Sequence, residues 1–260
     1  MIEPGADTAR QPRPLKAITL VGIAAVLLAA LLAGLGVWQV DRLHWKLHLI
    51  AQVDARVHAV AVAAPGPEAW PEVTAATDQY RHVTVKGHFL NQDESLTEAV
   101  TRHGAGFWVM TPFVTDRGFT VLVDRGFVPT ERRDPASRAA GQIGGETTVT
   151  GLVRMTEPGG GFLRANDPAH GRWYSRDVTA IAAAHGLGEV APYFIDVDAT
   201  PNPGGLPIGG LTVVSFPNNH FGYALTWFGL AIMVLGGFGY LVYDELRLRR
   251  RPHGDAVPAE

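Results

Sequence analysis

Apolar positions are spread unevenly along this chain. Two long uncharged runs, Ala17 to Val40 and Phe221 to Tyr243, bracket a stretch where short apolar segments alternate with polar ones. As a helix each run reaches about 35 Å, enough to cross a hydrocarbon core of about 30 Å. Both are predicted to span a bilayer. A cleaved signal peptide is the competing reading of the first run. Its apolar stretch is longer than a signal core, and it passes into Trp38-Gln39 without a small-x-small cleavage site.

Beyond the first run, Leu47, Ile50, Val53, Val57 and Val60 follow Leu43 at steps of three or four. This spacing predicts an amphipathic helix that continues the span as far as Pro65-Gly66-Pro67. The period then shortens to two. Tyr80 to Leu90 puts Val83, Val85 and Phe89 on one face and His82, Thr84, Lys86 and His88 on the other. Phe107 to Val114 and Phe119 to Asp124 read as strands joined by a hairpin turn at Thr115-Asp116-Arg117-Gly118. Thr147 to Met155, Val190 to Val197 and Leu211 to Phe216 read as further strands. A short helix is predicted over Val178–His185, with Asp177 as N-cap and Gly186 ending it.

The expected fold is membrane α+β, with two transmembrane helices flanking a mostly antiparallel, barrel-like β domain with short helices. Its divisions are a tail at 1–16, a span at 17–40, an extracytoplasmic β-rich domain at 41–220, a span at 221–243 and a basic tail at 244–260.

Charge gives the direction. Arg247, Arg249, Arg250 and Arg251 follow the second run, and no Lys or Arg lies between Arg176 and Arg247. The C-terminus is expected in the cytoplasm, and two crossings put the N-terminus there too. Over 260 residues the net charge is −3, with no basic stripe carrying interleaved aromatics, so nucleic acid is not an expected partner. The chain has no cysteine, which excludes disulfides, zinc thiolates and c-type haem attachment.

Motifs for ordinary catalysis are missing. The serines, Ser95, Ser137, Ser175 and Ser215, lie outside any G-x-S-x-G elbow, and there is no P-loop, H-E-x-x-H or dinucleotide fingerprint. Asp124, Glu157, Asp167 and Asp177 are scattered, and no catalytic pair stands out from surface charge. Among the histidines, His44 and His48 share a helix face, with a wet polar face as the plainer reading. His82 and His88 share a strand face but stand about 20 Å apart, which suits surface residues.

His220 differs. It follows Pro217-Asn218-Asn219 at the start of the second run, where an asparagine can cap the helix. A neutral imidazole there can ligate a metal or haem iron, or serve as a polar anchor at the interface. Tyr223, Ala224 and Trp227 fall on the same side of the helix. Gly222, Gly229 and Gly236 repeat on the opposite side, and Gly22, Ala29 and Gly36 repeat in the first run. Small residues let helices approach closely in lipid. The expectation is that these two seams pack together and leave the His220–Trp227 face free. The alternative turns the His220 face inward.

The order of motifs carries a resemblance. Gly36-x-Trp38-Gln39-x-x-Arg42-Leu43-x-Trp45-Lys46 is followed by Tyr80-Arg81-x-Val83-x-Val85-x-Gly87-x-Phe89, by Gly106 to Phe113 and by Val123 to Pro129. Then come Gly151-x-x-Arg154-x-x-Glu157, Phe162-x-x-x-Asn166-Asp167-Pro168, Trp173-Tyr174-x-x-Asp177, and Asn218-Asn219-His220-Phe221-x-Tyr223-Ala224-x-Thr226-Trp227-Phe228. From about Gly36 to Tyr243 the chain resembles the Surfeit-locus family of cytochrome c oxidase assembly factors. It departs from that pattern at Asp124-Arg125-Gly126-Phe127, where the family commonly has Asn-Arg-Gly-Trp.

The resemblance implies a bacterial member in the plasma (inner) membrane that is not an enzyme. It implies binding of haem a and help with its insertion into the catalytic oxidase subunit. That core subunit is the implied partner, haem a synthase is a second candidate, and membrane lipid surrounds the helices. His220 matches the family's second-span histidine and is expected as an axial ligand of the haem iron, with Tyr223 and Trp227 as pocket residues. Arg42 and Arg125 are candidates to neutralise haem propionates, with surface pairing as the plainer reading. The alternative function is a membrane scaffold that stabilises an oxidase assembly intermediate without binding haem.

Overall fold

The computed structural model describes residues 12–161, 163–212, 214 and 216–250. Two compact units result: Met1–Ile50 with Phe216–Glu260, and Ala51–Ser215.

The first unit is a pair of helices. α1 (Leu15–Val57) belongs to it as far as Ile50, and α4 (His220–Arg249) carries the second apolar run. Both are long and apolar enough to cross a bilayer, which fits a membrane protein. Much of their apolar surface, such as Leu20, Leu31, Ile232 and Met233, is exposed, as a lipid-facing helix requires.

The contact between them is asymmetric. A Cβ on Gly22 would lie 2.7 Å from Cζ of Phe238, and one on Gly36 would lie 2.7 Å from Cε1 of Phe228. Ala29, Ala224 and Ala231 are buried along the same line. The small residues of α1 are holes, and the α4 rings fill them. This corrects the expected meeting of two glycine seams: Gly222, Gly229 and Gly236 face open space. Rings set into glycine hollows gain dispersion contacts that two facing hollows would forfeit.

α1 ends at Val57, short of Pro65. Val60 is therefore not on its apolar face and stands exposed. The chain turns instead into β1 (Val62–Ala63), which pairs in parallel with β2 (His82–Phe89). Between them lies the single-turn α2 (Ala75–Asp78), whose N-cap Thr74 accepts a hydrogen bond from the Thr77 N–H.

The second unit is built on a closed barrel of five strands. β2, β6 (Thr147–Met155), β7 (Val190–Val197), β5 (Thr120–Pro129) and β4 (Gly104–Thr115) follow one another, and β2 pairs again with β4. Closure depends on Gly87, where a Cβ would lie 2.0 Å from the Val114 carbonyl oxygen. Val83, Val85, Phe113, Val121, Val123, Val149, Val153 and Ile195 form the interior.

β5 is buried on both faces. Its Leu122 packs outward with Met110, Phe194 and Trp173 against Val178 and Ile181 of α3 (Val178–Ala184). The Asp177 carboxylate caps α3 by accepting from the Ala180 N–H at 3.1 Å.

Pairing is mostly antiparallel, but β5 and β7 run parallel. An extra strand, β3 (Ser95–Thr101), borders β4. No strand forms at Leu211, Thr212, Val214 or Phe216, while 213 and 215 lie outside the described residues. Thr212 instead gives its hydroxyl to a side chain of β7, Asp196.

Candidate functional site

His220 is the first residue of α4. Asn219 occupies the N-cap position, but its side chain makes no capping bond, contrary to expectation. The His220 ring instead reaches α1, where its Nδ1 lies 2.7 Å from Gln39 Oε1. That oxygen can only accept, so Nδ1 donates, and Nε2 has no hydrogen-bond partner among the described residues.

Gln39 is buried, and Lys46 Nζ donates to the Pro217 carbonyl nearby in sequence to His220. The His220 face is therefore turned toward α1. Trp227 is half-buried on this side, while Tyr223 at its edge is exposed. His44 and His48 are exposed on α1. No group of three or more His, Asp or Glu suited to a metal ion occurs among the described residues. His220 stands as a single imidazole donor.

The β domain holds a second constellation. Parallel pairing sets Asp124 of β5 beside Asp196 of β7, both on the outward side that carries Leu122 and Phe194. Arg176, two residues before α3, bonds to Asp124 Oδ2 at 3.0 Å and lies 3.6 Å from Asp196 Oδ2. Its Nε and Nη2 donate to the two Glu157 oxygens at 3.1 and 2.7 Å. Its guanidinium lies over the Phe194 ring, 4.8 Å from the centroid. Arg154 of β6 lies 3.6 Å from Asp196 and 3.5 Å from Glu157.

Burial governs the electrostatics. Loss of solvent, with Asp196 alongside, pushes the Asp124 carboxyl up to about 7 against the pull of Arg176 and the Gly126 N–H. Burial raises Asp196 as well, in spite of the Thr212 hydroxyl and the two arginines. Glu157 is also penalised by burial, but Arg176 outweighs this and holds it below the usual range. The Asp124 and Asp196 carboxyls thus titrate above ordinary carboxylates, while Arg176 is held firmly charged by its acidic neighbours.

Two arginines considered for propionates have other roles. Arg125 is fully buried, with its guanidinium over the Phe89 ring and its Nη groups donating to Asn91 Oδ1 and the Gly141 carbonyl. It has no free face to offer, and this corrects the expectation. Arg42 lies over Trp45, its own neighbour on α1, 4.0 Å from the ring centroid.

A family model described as the SURF1 family matches residues 26–232. The chain belongs to the SURF1 family. It is similar to Surfeit locus protein 1 of Mus musculus, 38% identical over 243 residues, which covers 87% of this chain and 76% of that protein. Surfeit locus protein 1 of Homo sapiens is 38% identical over 217 residues, 76% of this chain and 69% of its own length. A SURF1-like protein of Monosiga brevicollis is 36% identical over 222 residues, 80% and 82% of the two chains.

The segment matched to the SURF1 family holds both constellations: Gln39 with His220, and Asp124, Arg154, Glu157, Arg176 and Asp196. Sequence reasoning selected His220 but missed Gln39. The available signal was a lone amide at the end of an uncharged apolar run, since polar groups at membrane depth pair with one another. It also missed the carboxylate cluster, whose members come from four separate segments. Phe162 of the Phe162-x-x-x-Asn166-Asp167-Pro168 motif lies outside the described residues.

Proposed function

We propose that this SURF1-family protein assists the assembly of haem-copper cytochrome c oxidase by binding haem a at His220 and passing it to the catalytic oxidase subunit. The observation that carries the reading is the His220–Gln39 hydrogen bond. A histidine that ligates a metal gives its other N–H to an acceptor, which fixes the tautomer and makes the ligating nitrogen more basic. His220 has this arrangement, with Nε2 left over for an iron. His220 would hold the haem iron through this one nitrogen, with Gln39 orienting its ring.

Haem, when bound, supplies the iron and a large apolar ring. The chain supplies an orienting amide at Gln39 and aromatic surface at Trp227 and Tyr223. In this reading the protein does no covalent chemistry, and the cofactor is held for transfer. The core oxidase subunit is the receiving partner, and haem a synthase is the source.

Both helices cross the membrane in this proposal. The setting is a bacterial plasma membrane, with both termini cytoplasmic and the β domain outside. The arginines after α4, and the lack of basic residues between Arg176 and Arg247, support that direction.

The test is the absorption spectrum of protein purified from cells that make haem a. A haem band is expected in the wild type and is expected to vanish in His220→Ala with an unchanged circular dichroism spectrum. Colourless wild-type protein that still copurifies with the oxidase core subunit would sink haem binding and leave a scaffold.

A further inference from the structure

Beside the carboxylate cluster lies a cavity of about 380 Å³ in the β domain, lined in part by Arg102, Trp108, Arg154, Arg176, Asp196 and Thr212. Nothing in the haem reading uses it. Three guanidiniums line the cavity against one carboxylate. Asp196 accepts from the Thr212 hydroxyl, and Arg154 and Arg176 each stand 3.6 Å from it. Arg176 spends its donors on Asp124 and Glu157.

Arg154 is different. Its side chain is 15% exposed, yet its contacts with Glu157 and Asp196 are long, at 3.5 and 3.6 Å. None of its N–H groups makes a hydrogen bond to a described residue, and its Nε is buried without a partner. Nη1 and Nη2 face Asp196 and Glu157 only at these long distances, so an incoming oxyanion at the cavity can take up donors that neither carboxylate fills.

Apart from Thr101 and Gly210, the remaining lining is apolar and aromatic. Trp108, Leu211 and Val100 supply that apolar surface, and Val100 is 86% exposed although it is an apolar residue. Arg176 lies over Trp108, 5.7 Å from its ring centroid, so the indole borders the charged end directly. Charge at one side and apolar surface at the other define an amphipathic ligand. The flat fork of Arg154 matches the two coplanar oxygens of a carboxylate better than a point charge does.

We propose that this cavity binds a small carboxylate carried on an apolar body, with Arg154 as its principal anchor and Trp108 against the body. The site is built from the β domain alone and does not depend on haem binding at His220.

The experiment titrates the detergent-solubilised full chain with 1-naphthoate, read by calorimetry, beside 1-naphthalenemethanol as a neutral isostere. Saturable binding of naphthoate is expected, with the alcohol at least tenfold weaker. Arg154→Gln is expected to weaken naphthoate at least tenfold, and Arg154→Lys less so. Val100→Trp, at an exposed position, keeps every charge and is expected to weaken binding by filling the cavity. Thermal melts check that each variant is folded.

Equal binding of acid and alcohol would overturn the proposal, because micelle or apolar partition would then explain the uptake. So would unchanged affinity in both folded Arg154→Gln and Val100→Trp. Displacement of naphthoate by inorganic phosphate more effectively than by hexanoate would overturn the carboxylate assignment.

Discussion

His220 Nδ1 donates to Gln39 Oε1 across 2.7 Å, joining the first residue of one long helix to a buried amide 181 positions earlier in the chain. The bond fixes both the tautomer and the plane of the imidazole. Gln39→Leu removes the acceptor while keeping the bulk. Its expected outcome is haem binding weakened about 10- to 100-fold, measured by absorbance titration, as for other partners that orient a ligating histidine. Affinity unchanged by the substitution would show that the hydrogen bond has no part in ligation.

The helix pairing makes a second forecast. Gly36 lies under Phe228 and Gly22 under Phe238, whereas Gly229 faces open space. Because the chain has no cysteine, introduced pairs report cleanly. Gly36→Cys with Phe228→Cys is expected to crosslink on mild oxidation, and Gly36→Cys with Gly229→Cys is not. Gel mobility under non-reducing conditions reads the difference. The opposite pattern would restore the meeting of glycine seams.

The β domain should respond to pH through Asp124. Its carboxyl is raised from 3.8 to about 7 in the folded protein. The unfolded state therefore releases this proton first as pH rises. The contribution of Asp124 to stability is complete below about pH 4 and is lost as pH climbs through 7. Asp196 is raised in the same direction. Asp124→Asn keeps an acceptor for the Gly126 N–H and removes the titration. Thermal melts between pH 5 and 8 are expected to show a falling Tm in the wild type and a flatter profile in the variant. Parallel profiles would place the titration elsewhere.

Barrel closure rests on a missing side chain. A Cβ at Gly87 would lie 2.0 Å from the Val114 carbonyl oxygen, inside any contact distance, and the neighbour is backbone rather than a flexible side chain. Gly87→Ala is expected to cost at least about 3 kcal/mol, the range of forced backbone shifts and lost ladder bonds. Denaturant unfolding of the full chain followed by near-ultraviolet circular dichroism measures it. A cost below about 1 kcal/mol would mean that β2 and β4 can part without loss.

β3 shows why some of the fold was hidden. In Ser95–Thr101 the buried positions are Ser95, Thr97 and Ala99, while Leu96 is half-buried and Val100 is exposed. The hydrophobic alternation points to the wrong face, so a pattern reading passes over the strand. Leu211 to Phe216 fails in the other direction. Its apolar and β-branched residues read as a strand, yet Thr212 serves Asp196 and no pairing forms at its described residues. Strand pairing is a property of neighbours, and propensity alone does not supply one.

The sequence by itself determined the features that depend on local period and end chemistry. These are two long apolar helices, the extents of β6 and β7, the α3 helix with its Asp177 cap, and the order of motifs that marks the family. Each is written within a few consecutive residues, where helix and strand periods act directly. The tertiary structure alone decided that Gln39 meets His220, that Phe228 and Phe238 fill the hollows of α1, and that β5 and β7 run parallel. That last choice sets Asp124 beside Asp196 and draws Arg176 and Arg154 around them. Such contacts join segments tens to hundreds of residues apart, and their energies come from burial and shared partners, which exist only once the barrel closes.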